Sequence, residues 1–251
     1  MELKGKVAIV TGSTRGMGKA IAELFSKEGA AVIVHGRDMH AGEGLARELR
    51  QHSPAYFVAG DLTERETSEK LVHAAVSEFG RLDIVVANAG TLGLGTVTAM
   101  DETVWHQAIG VNLNAIFWIC RFGIPAMQSG GAGCIVVNSS IAAFKSFPNH
   151  PAYCASKAAA VALTRQVALE YGPAIRANVM CPGPVDTPLI HASAIAFPDP
   201  QKAVADAGQK TVLKRLGMPG DVANLALFLA SDKSAWMSGS VVTIDGGVTV
   251  H

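Results

Sequence analysis

Short apolar runs rich in β-branched residues recur along the chain, at residues 7–10, 32–34, 84–87, 135–137, 177–179 and 241–244. Such runs suit strands covered on both faces. Between them lie stretches with helical spacing: Met17, Ile21, Leu24 and Phe25; then Val72, Val76 and Phe79; then Val104, Ala108, Val111, Ala115 and Trp118. Alternation of this kind predicts an α/β fold, a doubly wound parallel sheet whose right-handed crossovers place helices on both faces. Gly29, Gly80 and Gly172 stand where left-handed helix ends are needed.

The composition narrows the function classes. The 21 Lys plus Arg balance 21 Asp plus Glu, so no bulk charge holds the chain on nucleic acid or an anionic membrane. With 49% hydrophobic and 17% charged residues, the chain can bury a large core. Cys120, Cys134, Cys154 and Cys181 form no C-x-x-C pair, which suits neither a disulfide framework nor zinc, and predicts a reducing, cytoplasmic setting. No signal segment or membrane span is expected. The eight histidines lack metal-ligand spacing, and His150 and His191 read as surface residues, so no catalytic metal is expected. No linker or repeat divides residues 1–251, which predicts one domain with a substrate loop around 188–214. Its least regular part is expected at 188–201, where Pro198 and Pro200 interrupt apolar residues.

Directly after the first strand comes Thr11-Gly12-Ser13-Thr14-Arg15-Gly16-Met17-Gly18, opening into a helix. Glycine is needed there so that the chain turns sharply and its N–H groups approach a pyrophosphate at the helix N-terminus. Gly12, Thr14, Arg15, Gly16, Met17 and Gly18 are therefore candidate cofactor contacts. The turn resembles the T-G-x-x-x-G-x-G motif of the short-chain dehydrogenase/reductases. Asp61-Leu62, Asn88-Ala89-Gly90, Asn112, Ser140, Tyr153-x-x-x-Lys157, Pro182-Gly183 and Asp245-Gly246-Gly247 resemble further motifs of that family, in its order and over essentially the whole chain. The resemblance implies a single-domain Rossmann-like fold, a nicotinamide cofactor, interconversion of alcohol and carbonyl, and a homotetramer.

The end of the second strand bears on which cofactor. An NAD site wants a carboxylate there for the ribose hydroxyls, and that carboxylate would repel a 2′-phosphate. In similar family members the acid falls where this chain has Gly36, followed by Arg37. Arg37 and Arg15 would both suit a phosphate, which favours NADP(H) over NAD(H). Two readings oppose this: Arg37 as a solvated side chain, or Asp38 in the ribose role. Asp61 with Leu62, and Asn88 with Ala89 and Gly90, resemble family cofactor contacts, while Asp61 and Asn88 also read as helix or turn caps. Pro182, Gly183, Val185 and Thr187 resemble the segment that meets the nicotinamide carboxamide, with Pro184 removing one backbone donor.

Tyr153 and Lys157 lie four apart, so on one helix they share a face, with Cβ atoms about 6 Å apart. A neighbouring ammonium would lower the phenol from about 10 toward working pH and make Tyr153 the general acid or base. By resemblance Lys157 also holds the nicotinamide ribose. Ser140, preferred to Ser139 by spacing alone, would donate to the substrate oxygen as charge develops. Asn112 resembles the fourth catalytic member, which holds a relay water, and also reads as a core amide bonded to backbone.

The loops 91–96, 141–151 and 189–198 should line the substrate pocket. They carry Phe144, Phe147, Leu189, Ile190 and Phe197, with little fixed charge apart from Lys145. A neutral, mainly apolar ketone or secondary alcohol suits them. Two alternatives are a cofactor-sensing binding protein of the same fold and a 3-oxoacyl-thioester reductase. Residues 128–134 lack the cations that would dock an acidic carrier, which weighs against the thioester. Retained Tyr153 and Lys157 weigh against the sensor. Their spacing of four and the chain length also disfavour an enoyl reductase and an epimerase.

Overall fold

Every residue of β1 (Val7–Val10) is buried, as a strand covered on both faces must be. The computed structural model describes residues 1–250 and follows β1 with α1 (Gly16–Lys27), β2 (Ala31–Gly36), α2 (Met39–Leu49), β3 (Ala55–Ala59), α3 (Arg65–Phe79) and β4 (Ile84–Ala87). Then come α4 (Glu102–Ile109), α5 (Ala115–Ser129), β5 (Gly133–Asn138), α6 (Pro151–Tyr171), β6 (Ile175–Pro182), α7 (Pro188–Ser193), α8 (Pro200–Gln209), α9 (Pro219–Ala230) and β7 (Val241–Ile244). The strands form one parallel sheet in the order β3-β2-β1-β4-β5-β6-β7. The doubly wound α/β fold expected from the alternation is borne out.

The direction of winding reverses between β1 and β4. There Val10 lies in register with Val34 on one side and Val86 on the other. The loops leaving the two strands part, and a crevice opens at their carboxyl ends. Alternate residues of each strand feed two cores: Val10, Phe25, Val34 and Val136 on one face, and Ile9, Ile33, Leu71 and Ile135 on the other. Phe25 is fully buried, so its truncation to Ala costs about 3–5 kcal/mol.

Four expectations need correction. The edge strand β3 was not anticipated, because only one of its five residues is β-branched and Tyr56 faces outward. Residues 188–201 are largely ordered as α7, a short 3₁₀ turn at Ala194–Ala196 and the start of α8. Pro188 and Pro200 sit at helix N-termini, where proline fits, instead of breaking structure. Gly29 and Gly80 have positive φ, but Gly172 is extended, since a residue preceding proline avoids helical conformations. Lastly, Glu102–Ser129 is long and apolar enough to cross a membrane by length and composition. Here it lies against the domain, with α5 burying Ile116, Ile119 and Ile124.

Candidate active site

The glycine turn links β1 to α1 at the crevice. Gly12 and Gly16 hold φ of +62° and +57°, a region costly for residues with a Cβ. Gly18 is needed for closeness: a Cβ there would lie 2.3 Å from the Gly12 carbonyl oxygen. The N-terminus of α1 has no side-chain cap and no acid in its first turn, so its N–H groups and dipole suit an anion. These features fit a dinucleotide pyrophosphate.

Asn88 braces the turn. Its amide donates to Thr11 O at 2.9 Å and Gly12 O at 3.2 Å, and its Oδ1 accepts from Asn138 Nδ2 at 2.9 Å. The capping reading of Asn88 therefore describes its side chain, although the residue still lines the cleft. His35, unforeseen in the sequence, braces the same turn from β2. Its Nδ1 accepts from Gly12 N at 3.1 Å, and its Nε2 lies 3.2 Å from Gly60 O. A carbonyl can only accept, so the proton sits on Nε2. Burial pulls this imidazole down to about 4, which keeps it neutral. The available signal was a titratable residue inside an otherwise apolar strand.

A cleft of about 370 Å³ runs over the turn and past Gly36, Arg37, Asp61, Leu62, Ala89 and Gly90 to Lys157. A Cβ at Gly36 would lie 2.5 Å from Thr14 Cγ2. Arg37 is 68% exposed and 3.8 Å from the Asp61 carboxylate. Asp61 also accepts from Thr63 N at 2.9 Å and Thr63 Oγ1 at 2.8 Å. Those bonds from Thr63 hold its carboxyl below the ordinary range, with help from the Arg37 charge. Asp38 caps α2, its Oδ1 accepting from Ala41 N at 3.0 Å, and it does not line the cleft.

At the far end of the cleft Lys157 is buried and donates to Asn138 O at 2.8 Å. Its Nζ stands 5.6 Å from the centroid of the Tyr153 ring. Ser139 is buried and donates to Lys157 O at 2.8 Å, whereas Ser140 opens on the cavity beside Tyr153. Its Oγ accepts from Ala142 N at 3.1 Å, leaving the hydroxyl proton available. Both serines line the cavity, and only the Ser139 hydroxyl is spent on the Lys157 carbonyl.

The expected fall in the Tyr153 pKa is reversed. Burial pushes the phenol up to about 12, with the Ser140 hydroxyl working against the rise. The same desolvation pulls Lys157 down to about 8. Lys157 spends a donor on Asn138 O, and low dielectric disfavours both charged forms.

Asn112 lies in a π-turn, Gly110–Asn114, inserted between α4 and α5. Its Nδ2 donates to Thr91 O at 2.9 Å and Ser156 Oγ at 3.0 Å, and its Oδ1 accepts from Thr91 N at 2.8 Å. Both Nδ2 protons and one lone pair of Oδ1 are thus engaged with the protein, which fixes the 90s loop beside Lys157 and supports the core-amide reading alongside the relay one. A π-turn here places that amide where a regular helix would rotate it away.

A second cleft of about 590 Å³ adjoins the first and shares Met17, Tyr153 and Thr187 with it. Pro182, at the end of β6, and Gly183, Val185 and Thr187 after it line this second cleft, and Thr187 lines the first as well. Phe147, Leu189, Ile190 and Phe197 line it as expected, while Phe144 points to solvent. Asp199, Asp206 and Lys210 add charge beyond the expected Lys145, because α8 closes one side. His150 is buried, not on the surface, and lines this cavity; His191 is exposed and 2.9 Å from Asp186. Among the described residues no group of three or more His, Cys, Asp or Glu side chains could hold a metal.

Comparison with known proteins accords with this layout. Residues 12–249 match a family model described as enoyl-(acyl carrier protein) reductase. The chain is 35% identical over 254 residues to a 3-oxoacyl-[acyl-carrier-protein] reductase of Thermotoga maritima, covering 100% of both chains. It is also 35% identical over 255 residues to an NADP-dependent (R)-specific alcohol dehydrogenase of Lentilactobacillus kefiri, covering 99% of this chain and 98% of the other. The crystal structure of levodione reductase superposes with a TM-score of 0.92 at 28% identity, covering 98% of each chain.

Proposed function

The chain belongs to the short-chain dehydrogenase/reductase family, and from that premise we propose that it reduces a neutral, mainly apolar ketone to a secondary alcohol with NADPH. The observation that carries this reading is the place of Tyr153. It borders both clefts, with Ser140 on the substrate side and Lys157 on the cofactor side.

NADPH, when bound, supplies the hydride, and every proton and orienting contact falls to the chain. Gly12, Gly16 and Gly18 let the backbone and the N-terminus of α1 hold the pyrophosphate, while Thr187, Val185, Gly183 and Pro182 border the nicotinamide end. Arg15 and Arg37 offer guanidinium groups to a 2′-phosphate, and Thr14 fills the space in front of Gly36 that an acid would need. Ser140 Oγ donates to the substrate oxygen and stabilises the charge that develops there. Tyr153 Oη, protonated at neutral pH, gives its proton to that oxygen. Lys157, held on Asn138 O, stands ready to bind the nicotinamide ribose and to restore the phenol proton.

A second reading, reduction of a 3-oxoacyl thioester, draws support from the likeness to the Thermotoga maritima enzyme. The absence of Lys and Arg from residues 128–134 leaves that approach without a docking charge for an acidic carrier. The homotetramer implied by the family resemblance would give exposed Phe117, Leu169 and Trp236 surfaces to pack against.

The test follows NADPH oxidation with a panel of cyclic and aryl ketones in the wild type and in Tyr153→Phe. Turnover that the variant loses while still binding NADPH upholds the reading. Undiminished turnover in Tyr153→Phe rejects it.

A further inference from the structure

His150 stands immediately before α6, three residues from Tyr153, and its position is set by the backbone around it. Asn149 is one of two non-glycine residues with positive φ among the described residues, at +57°, a conformation that asparagine tolerates better than most. Its carbonyl accepts from Gly95 N at 3.0 Å and its Nδ2 donates to Ala196 O at 3.2 Å, so this corner is tied to two other walls of the cleft. His150 is only 5% exposed.

The imidazole is packed among rings. Its centroid lies 6.1 Å from Tyr153, 6.1 Å from Phe197 and 6.2 Å from Phe147. Nδ1 lies 2.5 Å from Pro148 O, so Nδ1 carries a proton and donates. Nε2 has no protein partner among the described residues, yet it is not an enclosed unpaired atom. The residue lines the 590 Å³ cavity and not the 370 Å³ cleft, so that cavity is the space on which an accessible Nε2 would open. Desolvation lowers this imidazole below its ordinary value, which favours the neutral ring with Nε2 as an acceptor. Other polar groups of the cavity are committed or lie at its rim. Ser193 donates to Ile190 O at 2.8 Å, Asp199 caps α8, and Lys145 and Lys210 are exposed.

We propose that His150 Nε2 accepts a hydrogen bond from a hydroxyl of the substrate, so that the preferred substrates are hydroxyketones and the diols they yield. The inference rests on the reading of this cleft as a carbonyl-reduction site. The reacting carbonyl sits at Ser140 and Tyr153, the second hydroxyl at His150, and the rest of the molecule against Phe147, Phe197 and Leu189. A site built to bond a hydroxyl leaves its own acceptor unpaired when the hydroxyl is missing, and so discriminates strongly against the deoxy analogue.

The test compares cyclohexanone with its alpha-, beta- and gamma-hydroxy derivatives, using wild type, His150→Phe and His150→Gln with saturating NADPH. The wild type is expected to favour at least one hydroxy derivative over cyclohexanone by about tenfold or more in kcat/KM, mainly through KM. That ratio should fall toward one in His150→Phe and recover in part in His150→Gln, whose Oε1 can also accept. A purely structural role would lower all four substrates together and leave the ratio intact. A ratio near one in wild type, or an unchanged ratio in His150→Phe, overturns the proposal. Saturation-transfer NMR with the same ketones on the NADPH complex separates the two readings. A hydroxyl-dependent signal lost in His150→Phe upholds the subsite even if hydride transfer fails, and its absence in wild type rejects the subsite while reduction of cyclohexanone stands.

Discussion

Thr14 fills the space in front of Gly36: a Cβ at position 36 would lie 2.5 Å from Thr14 Cγ2 and 2.9 Å from Thr14 Oγ1. A carboxylate at position 36, where similar family members carry an acid, would therefore have to displace the Thr14 side chain. Arg37, the next residue, projects into the cleft instead.

Arg37→Asp is accordingly expected to weaken NADPH binding by about tenfold or more and to narrow or invert its advantage over NADH. A guanidinium-phosphate pair is replaced by like charges. Dissociation constants for both cofactors check this, and an unchanged ratio rejects the role of Arg37.

Tyr153→Phe should bind NADPH as the wild type does and lose about 10²–10⁴-fold in turnover, the usual contribution of a positioned proton donor. Single-turnover kinetics separate the two effects.

The legibility of these groups in the sequence differed for physical reasons. Glycines of the turn, Tyr153 and Lys157 announce themselves because backbone clearance and helical spacing are local properties. The contacts of Asn112, by contrast, depend on a π-turn, and a single apolar spacing runs through Val104 to Trp118 without marking it. His35 and His150 draw their roles from residues far along the chain, Gly12, Gly60 and Phe197 among them, so neither was legible. The Tyr153 shift was misread because spacing reports the neighbouring ammonium but not the desolvation that outweighs it.

That desolvation gives a pH expectation. With the phenol at about 12, Tyr153 is protonated through neutral pH, so reduction should hold roughly steady there while alcohol oxidation, which needs the phenolate, climbs with pH. Lys157, at about 8, loses its charge just above neutrality, and cofactor affinity should weaken over that range. Initial rates in both directions from pH 6 to 10 check the sign; oxidation that falls as pH rises contradicts it.

His35 makes a stability expectation. Its folded value of about 4 lies below the ordinary 6.5, so the unfolded chain binds the extra proton first and stability is lost as pH falls from 6.5 toward 4. The loss attributable to this group is on the order of 3 kcal/mol. His35→Asn should flatten that slope and weaken NADPH binding through the released Gly12 turn. Denaturant unfolding at several pH values checks it, and an unaltered slope in the variant contradicts it.

Titration of the purified protein with NADPH and with NADH, followed by nicotinamide fluorescence, tests the central claim most directly. Tight NADPH and weak NADH binding is the expected result. Preference for NADH would contradict the assignment of Arg15 and Arg37 to a 2′-phosphate, and binding of neither would contradict the reading of the crevice as a nicotinamide site.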